Sequence, residues 1–332
     1  MDNLLTKKYV GSMEQLAYAR KVKLEEGKGK NTSIIQVSNG SGLAFTVVTD
    51  RGLDIANASI KGVNVSFISK TGITSPALYE EPELGFLRSF TGGLLTTCGM
   101  TYYGAPCYDE KALGLHGRMT SIPADQVSIS TEWVENEYVI KIQGYIKENS
   151  VFGENIVLKR EIVTKYGTNE IVVNDTYTNE GFEKAPFMVL YHCNFGYPLL
   201  SPMCYVESNS VKTEDRDSDE LVTLRDIHSF SEPMDTIDEK VYFHQTKDNN
   251  GYSSFSVVND ELKLGVDVSY SNEHLLYLIQ WKLMKSGDYV LGMEPATNKT
   301  TGRDLARADN ELTFINPQEE KKISLKFELF KG

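Results

Sequence analysis

Apolar and polar residues alternate with a period of two along most of this chain, and that pattern predicts strands. Between Glu137 and Ile146, the side chains of Tyr138, Ile140, Ile142 and Ile146 point one way while Lys141 and Gln143 point the other. Ile171, Val173 and Tyr177 share a face, and Ile323, Leu325, Phe327 and Leu329 repeat the pattern near the end of the chain. Each is a half-buried strand with one side on a core. Further strands are expected over residues 33–38, 43–49, 126–133, 155–164, 185–191, 252–259, 262–270, 275–283 and 289–293. Asn39-Gly40, Asn249-Asn250-Gly251 and Ser286-Gly287-Asp288 supply turns between them. Helical signals are sparse. Ser12-Met13-Glu14-Gln15 has the form of a capping box and predicts a helix through Leu16 to Ala19. Residues 84–88 suit a short helix. Strands without intervening helices predict an all-β fold, a large antiparallel β-sandwich with a few short helices, and not a doubly wound sheet. The acidic stretch Glu214 to Glu220 reads as a surface loop, and no repeat or linker divides the chain. One domain over 1–332 is expected, with residues 1–30 as a partly helical N-terminal extension.

Composition narrows the classes. The 332 residues include 34 Lys and Arg against 46 Asp and Glu, a formal net charge of −12. Such an acidic surface repels a phosphate backbone, so no nucleic-acid partner is expected. No apolar run approaches the roughly 18 residues of a membrane span, and the first residues carry no signal-peptide pattern. Cys98, Cys107, Cys193 and Cys204 form no C-x-x-C pair. Free thiols and a cytoplasmic location are the expectation, with no membrane partner. The oligomeric state is unreadable.

Three places interrupt the alternation with chemistry-bearing residues. In Gly114-Leu115-His116-Gly117-Arg118 a histidine sits between glycines, which let backbone and ligand approach closely. In Tyr191-His192-Cys193-Asn194-Phe195-Gly196 an imidazole ends a strand, where its reference pKa of about 6.5 suits proton transfer. In Leu291-Gly292-Met293-Glu294-Pro295 an apolar run leads into a carboxylate; burial would raise its pKa and make it a general base. Plainer readings stay open: a solvated turn histidine, a hydrogen-bonded core histidine and a solvent-facing glutamate. Arg51, between Asp50 and Asp54, is either part of a salt-bridged turn or a sugar or phosphate contact. Gln280-Trp281 pairs an amide for hydroxyls with an aromatic face for C–H groups, as sugar sites do, although β-sheet cores also hold such pairs. His228, His244 and His274 lack metal-ligand spacing, so no metal is expected.

Taken together, the ordered motifs resemble the aldose 1-epimerase (galactose mutarotase) family. Leu115-His116-Gly117 is similar to its Leu-His-Gly loop, His192 to Leu199 to its second histidine motif, and Glu294 to its glutamate after an apolar strand. The likeness spans about residues 30 to 330. The resemblance implies a galactose mutarotase-like supersandwich and an isomerase that interconverts sugar anomers without a cofactor. It implies Glu294 as base, His192 as acid and His116 beside the ring oxygen, with Arg51, Arg118, Asn194, Gln280 and Trp281 holding the sugar. Arg118 stands where the family usually has a second glycine, which points to an anionic or otherwise modified sugar. The alternatives are a non-catalytic sugar-binding protein on the same scaffold and a sugar lyase or hydrolase. Hydrolysis ordinarily needs two carboxylates, and Glu294 has no companion in its own motif.

Overall fold

A computed structural model describes residues 3–218 and 227–332. Among them, eight antiparallel strands form the largest sheet, in the spatial order Cys204–Ser208, Tyr252–Asn259, Leu264–Ser271, Glu320–Lys331, Glu170–Asn179, Asn155–Lys165, Glu137–Asn149 and Asp125–Val134. A six-stranded sheet runs Ser210–Asp215, Lys240–Thr246, Tyr277–Lys285, Asp288–Ala296, Met188–Phe195 and Thr96–Met100. A third sheet of five strands runs Tyr18–Lys23, Ser33–Ser38, Leu43–Val48, Asp54–Ile60 and Val63–Asn64. Bridges Ile55↔Leu95 and Ser66↔Phe195 join its end to the six-stranded sheet. The helices among the described residues are short, Asn3–Tyr9 and Arg303–Ala308. None is long and apolar enough to cross a membrane. All four cysteines are free.

The predicted alternation is what packs the layers. Tyr138, Ile140, Ile142, Ile171, Val173, Leu325 and Phe327 of the eight-stranded sheet share one core with Tyr191, Cys193, Leu291 and Met293 of the six-stranded sheet. Residues one position along the latter strands, Leu190, Val290 and Ile279, belong to a separate cluster on the opposite face. The six-stranded sheet is thus buried on both sides, which is why its strands read as apolar runs. Between the layers Arg160, with no exposed surface, donates to both oxygens of Asp175 at 2.9 and 2.7 Å, to Asp54 at 3.1 Å and to the Thr97 hydroxyl at 2.9 Å. The Tyr191 hydroxyl donates to the same Asp175 at 2.7 Å. A buried charge of this kind persists only when paired and hydrogen-bonded throughout.

Two local expectations need correction. Ser12 caps only the 3-10 turn Met13–Gln15, accepting the Glu14 N–H at 3.3 Å. The chain then enters the strand Tyr18–Lys23, whose residues have no apolar stripe for a helix to bury and which pairs with Ser33–Ser38 instead. Within the acidic stretch, Glu214 and Asp215 end an edge strand rather than lie in a loop, and the Arg216 N–H continues the ladder to the Val241 carbonyl at 2.9 Å. Residues 219 and 220 lie outside the described residues.

Candidate active site

The outer face of the six-stranded sheet is the floor of a cavity of about 360 Å³. Its register sets the chemistry. Val241 pairs with Trp281 and Trp281 with Gly292; Phe243 pairs with Ile279 and Ile279 with Glu294. The pairs Cys193↔Met293 and Leu190↔Ala296 bring His192 abreast of Glu294. Glu294 lies inside the strand Asp288–Ala296 and His192 inside Met188–Phe195, both further from solvent than strand-end residues would be. They are 2% and 4% exposed. Gly292 clears the space above the sheet: a Cβ there would lie 2.5 Å from Glu294 Oε1 and 3.2 Å from both His192 Cε1 and Trp281 Cε3.

His116 reaches the cavity from the ribbon Cys107–Asp109 and Lys111–Leu113, through the glycine-flanked loop that follows it. Any side chain at Gly114 would collide with the Glu81 carbonyl, 1.7 Å from an added Cβ. His116 adopts φ +58°, a left-handed backbone uncommon outside glycine. Its N–H is anchored on the Gly104 carbonyl at 3.0 Å, and the Tyr79 hydroxyl donates to the Gly117 carbonyl at 2.8 Å.

The three groups converge. His192 Nε2 lies 3.1 Å from Glu294 Oε1. The His116 and His192 rings are 5.8 Å apart, edge to face. Phe90 at 5.2 Å and Trp281 at 5.4 Å flank His192, and Phe86 at 5.1 Å flanks His116. Glu294 Oε1 and the Nδ1 atoms of both histidines are buried without a hydrogen-bond partner. Burial pushes the Glu294 carboxyl well above the usual range, with Glu239 adding to the rise. Burial also drives His192 well below the ordinary histidine value, helped by His116, and holds His116 at about 4. Desolvation therefore disfavours a charge on each, and the pair stores one transferable proton.

Of the remaining predicted contacts, Trp281 lines the cavity and four residues do not. Arg51 is buried at a turn and donates to the Thr74 carbonyl at 3.0 Å; it forms no ion pair with either neighbouring aspartate. Arg118 turns outward from the loop, half-exposed, 3.9 Å from Glu81. Asn194 is buried and folds back to donate to the His192 carbonyl at 2.8 Å. Gln280 is fully buried between His244 at 3.2 Å and the Ile227 carbonyl at 2.8 Å, because adjacent strand residues face opposite ways and Trp281 takes the cavity side. Arg216 and Glu239 were not foreseen. Glu239 accepts from Arg216 at 3.0 Å and from the Trp281 indole N–H at 2.8 Å. Glu239 could have been found as the residue two before Val241, on the same face as Trp281; Arg216 carried no sequence signal.

A family profile described as Domain of unknown function (DUF4432) matches residues 29–329. The chain belongs to this family. No curated protein shows significant sequence similarity to it. Among solved structures, a protein of Klebsiella pneumoniae provisionally named an aldose 1-epimerase superposes with a TM-score of 0.89 at 22% identity, over 96% of this chain and 86% of that one. A galactose mutarotase-like protein of Clostridium acetobutylicum gives 0.63 at 15%, over 96% and 100%. The galactose 1-epimerase of Lactobacillus acidophilus gives 0.61 at 12%, over 95% and 99%. The fold of this family member is the galactose mutarotase-like β-sandwich.

Proposed function

We propose that the protein interconverts the anomers of a free aldose. The observation that carries this reading is the convergence of residues 116, 192 and 294 on one sugar-sized cavity, each with a buried polar atom that has no hydrogen-bond partner. Mutarotation breaks the bond between C1 and the ring oxygen and remakes it on the other face. One group takes the proton of the C1 hydroxyl while another gives a proton to the ring oxygen, and both oxygens are bonded to the same carbon. An acid and a base 3.1 Å apart suit that demand. When the sugar's hydroxyls enter, the stored proton shifts across the 3.1 Å from the Glu294 carboxyl group to His192; Glu294 as carboxylate then takes the C1 hydroxyl proton and His192 as imidazolium protonates the ring oxygen. Ring opening leaves a carboxylic acid, a neutral imidazole and the open aldehyde; closure after rotation about the C1–C2 bond returns both protons. The two states of the pair hold the same number of protons, so no solvent proton is needed. The aldehyde is the sugar's own, so no cofactor takes part. His116 bonds near the ring oxygen and Trp281 covers a C–H face of the ring.

Glu239 is the second carboxylate in the lining, but both its oxygens are occupied, so a glycosidic bond would meet only one free carboxyl group. The test is anomer exchange by NMR over a panel of aldoses. Wild-type protein accelerates at least one sugar, and Glu294→Gln lowers that rate by about 10²–10⁴. A sugar that raises the melting temperature without any accelerated exchange would refute the reading, and so would an unsaturated, ultraviolet-absorbing product.

A further inference from the structure

Beyond the three reacting groups, the described lining offers a sugar few hydrogen bonds. Glu239 spends its two oxygens on Arg216 and Trp281. Arg216 is held in turn by Asp217, through Nε at 2.8 Å and Nη2 at 3.0 Å, and among these contacts only Nη1 is left to meet a sugar hydroxyl. Thr300 adds one hydroxyl. Most of the remaining wall is apolar: Leu84, Phe86, Leu87, Phe90, Pro106 and Leu115. Leu84 and Leu87 are more than half exposed, so the apolar surface runs out to where a ligand arrives.

The position of this wall relative to the reaction fixes what it touches. The ring oxygen must lie beside the imidazoles of His192 and His116. His192 packs on Phe90 at 5.2 Å and His116 on Phe86 at 5.1 Å. In a pyranose, C5 is bonded to the ring oxygen. A pose that turns C1 and its hydroxyl toward Glu294 leaves the C5 substituent on the far side of the ring oxygen, against these two phenyl rings. Against two phenyl rings a hydroxymethyl loses water and gains no hydrogen bond from them, a carboxylate loses more, and a methyl group gains contact.

Resting on the acid/base reading above, we infer that the substrate is a 6-deoxyaldose, with its C5 methyl seated against Phe86 and Phe90. Three sugar series vary only that substituent. They are D-xylose, D-quinovose, D-glucose and D-glucuronate; L-arabinose, D-fucose, D-galactose and D-galacturonate; and L-lyxose, L-rhamnose and L-mannose. Anomer-exchange rates over these series give kcat/KM for each member. In the series that the protein accelerates, the methyl member exceeds the hydroxymethyl member by about 10- to 100-fold, and exceeds the hydrogen and carboxylate members as well. A hydroxymethyl, hydrogen or carboxylate member that matches or outruns its methyl counterpart overturns the inference and leaves the mutarotase reading standing. No acceleration of any member overturns both.

Discussion

Replacing Gly292 by alanine tests the active-site geometry with a single methyl group. The backbone φ of Gly292 lies outside the left-handed region, so alanine is tolerated there. The new Cβ would sit 2.5 Å from Glu294 Oε1. An ordinary carbon–oxygen contact starts near ~3.3 Å, so the carboxyl group must retreat by roughly 0.8 Å or rotate away. The Cβ is also 3.2 Å from His192 Cε1 and from Trp281 Cε3, which closes the sideways escape. Displacement on the order of 1 Å in a positioned acid/base reaction costs about 10²-fold, or about 2.7 kcal/mol of transition-state stabilisation. Overpacking costs about 1–3 kcal/mol of stability, partly offset by about 0.4–1 kcal/mol from the stiffer unfolded chain. The variant therefore stays folded. Saturation transfer between the two anomeric protons of an accelerated sugar gives kcat/KM, and circular dichroism checks the fold. The methyl should slow Glu294→Gln by much less than the ~10²-fold it costs the wild type, because its nearest contact by far is the carboxyl group. A folded Gly292→Ala protein that keeps wild-type kcat/KM refutes the placement of Glu294 as base.

Three further outcomes follow from other parts of the molecule. Glu148 is buried, accepts the Thr101 N–H and hydroxyl at 3.1 Å each, and is raised by burial to about 7. Its folded pKa exceeds its unfolded one, so the stability it gives is full below about pH 4.5 and is lost as pH rises to about 7, in all about 3 kcal/mol. Glu148→Gln removes that slope, which urea denaturation at pH 5 and pH 8 measures; identical slopes in both proteins would contradict it. Arg160→Met leaves Asp54 and Asp175 buried without their cation and costs about 3–5 kcal/mol; denaturation within about 1 kcal/mol of wild type would show that the network is not maintained. Trp281→Phe loses the bond to Glu239 and part of the ring surface, so KM rises about 2- to 10-fold while kcat holds; a collapse of kcat at unchanged KM would place Trp281 in the chemistry instead.

The strands were legible wherever one face meets the core and the other meets solvent. Tyr252–Asn259 has the bounds its alternation predicts, and Glu137–Asn149 and Asn155–Lys165 run only slightly past theirs. Thr96–Met100 was not legible, because all five residues are buried and Gly99 has a left-handed φ. Lys240–Thr246 was missed for the first of these reasons, since Val241, Tyr242, Phe243 and His244 are buried in succession. At the site, residue types in unusual local settings pointed to His116, His192, Glu294 and Trp281, which meet in space. The sequence did not reveal direction. Arg118 and Asn194 stand within two residues of His116 and His192 yet turn away from the cavity, and no local pattern encodes the turn that decides it.

The two faces of the six-stranded sheet answer to different selection. Substitutions at 241, 279 or 281 alter what a ligand meets, while those at 191, 193, 291 or 293 disturb the packing of the layers. A lineage built on this sheet is free to change its diet one residue at a time and keep its skeleton. The deletion or insertion of a single residue in Met188–Phe195 or Asp288–Ala296 is a different kind of event, since it turns His192 or Glu294 inward and the core residues outward together.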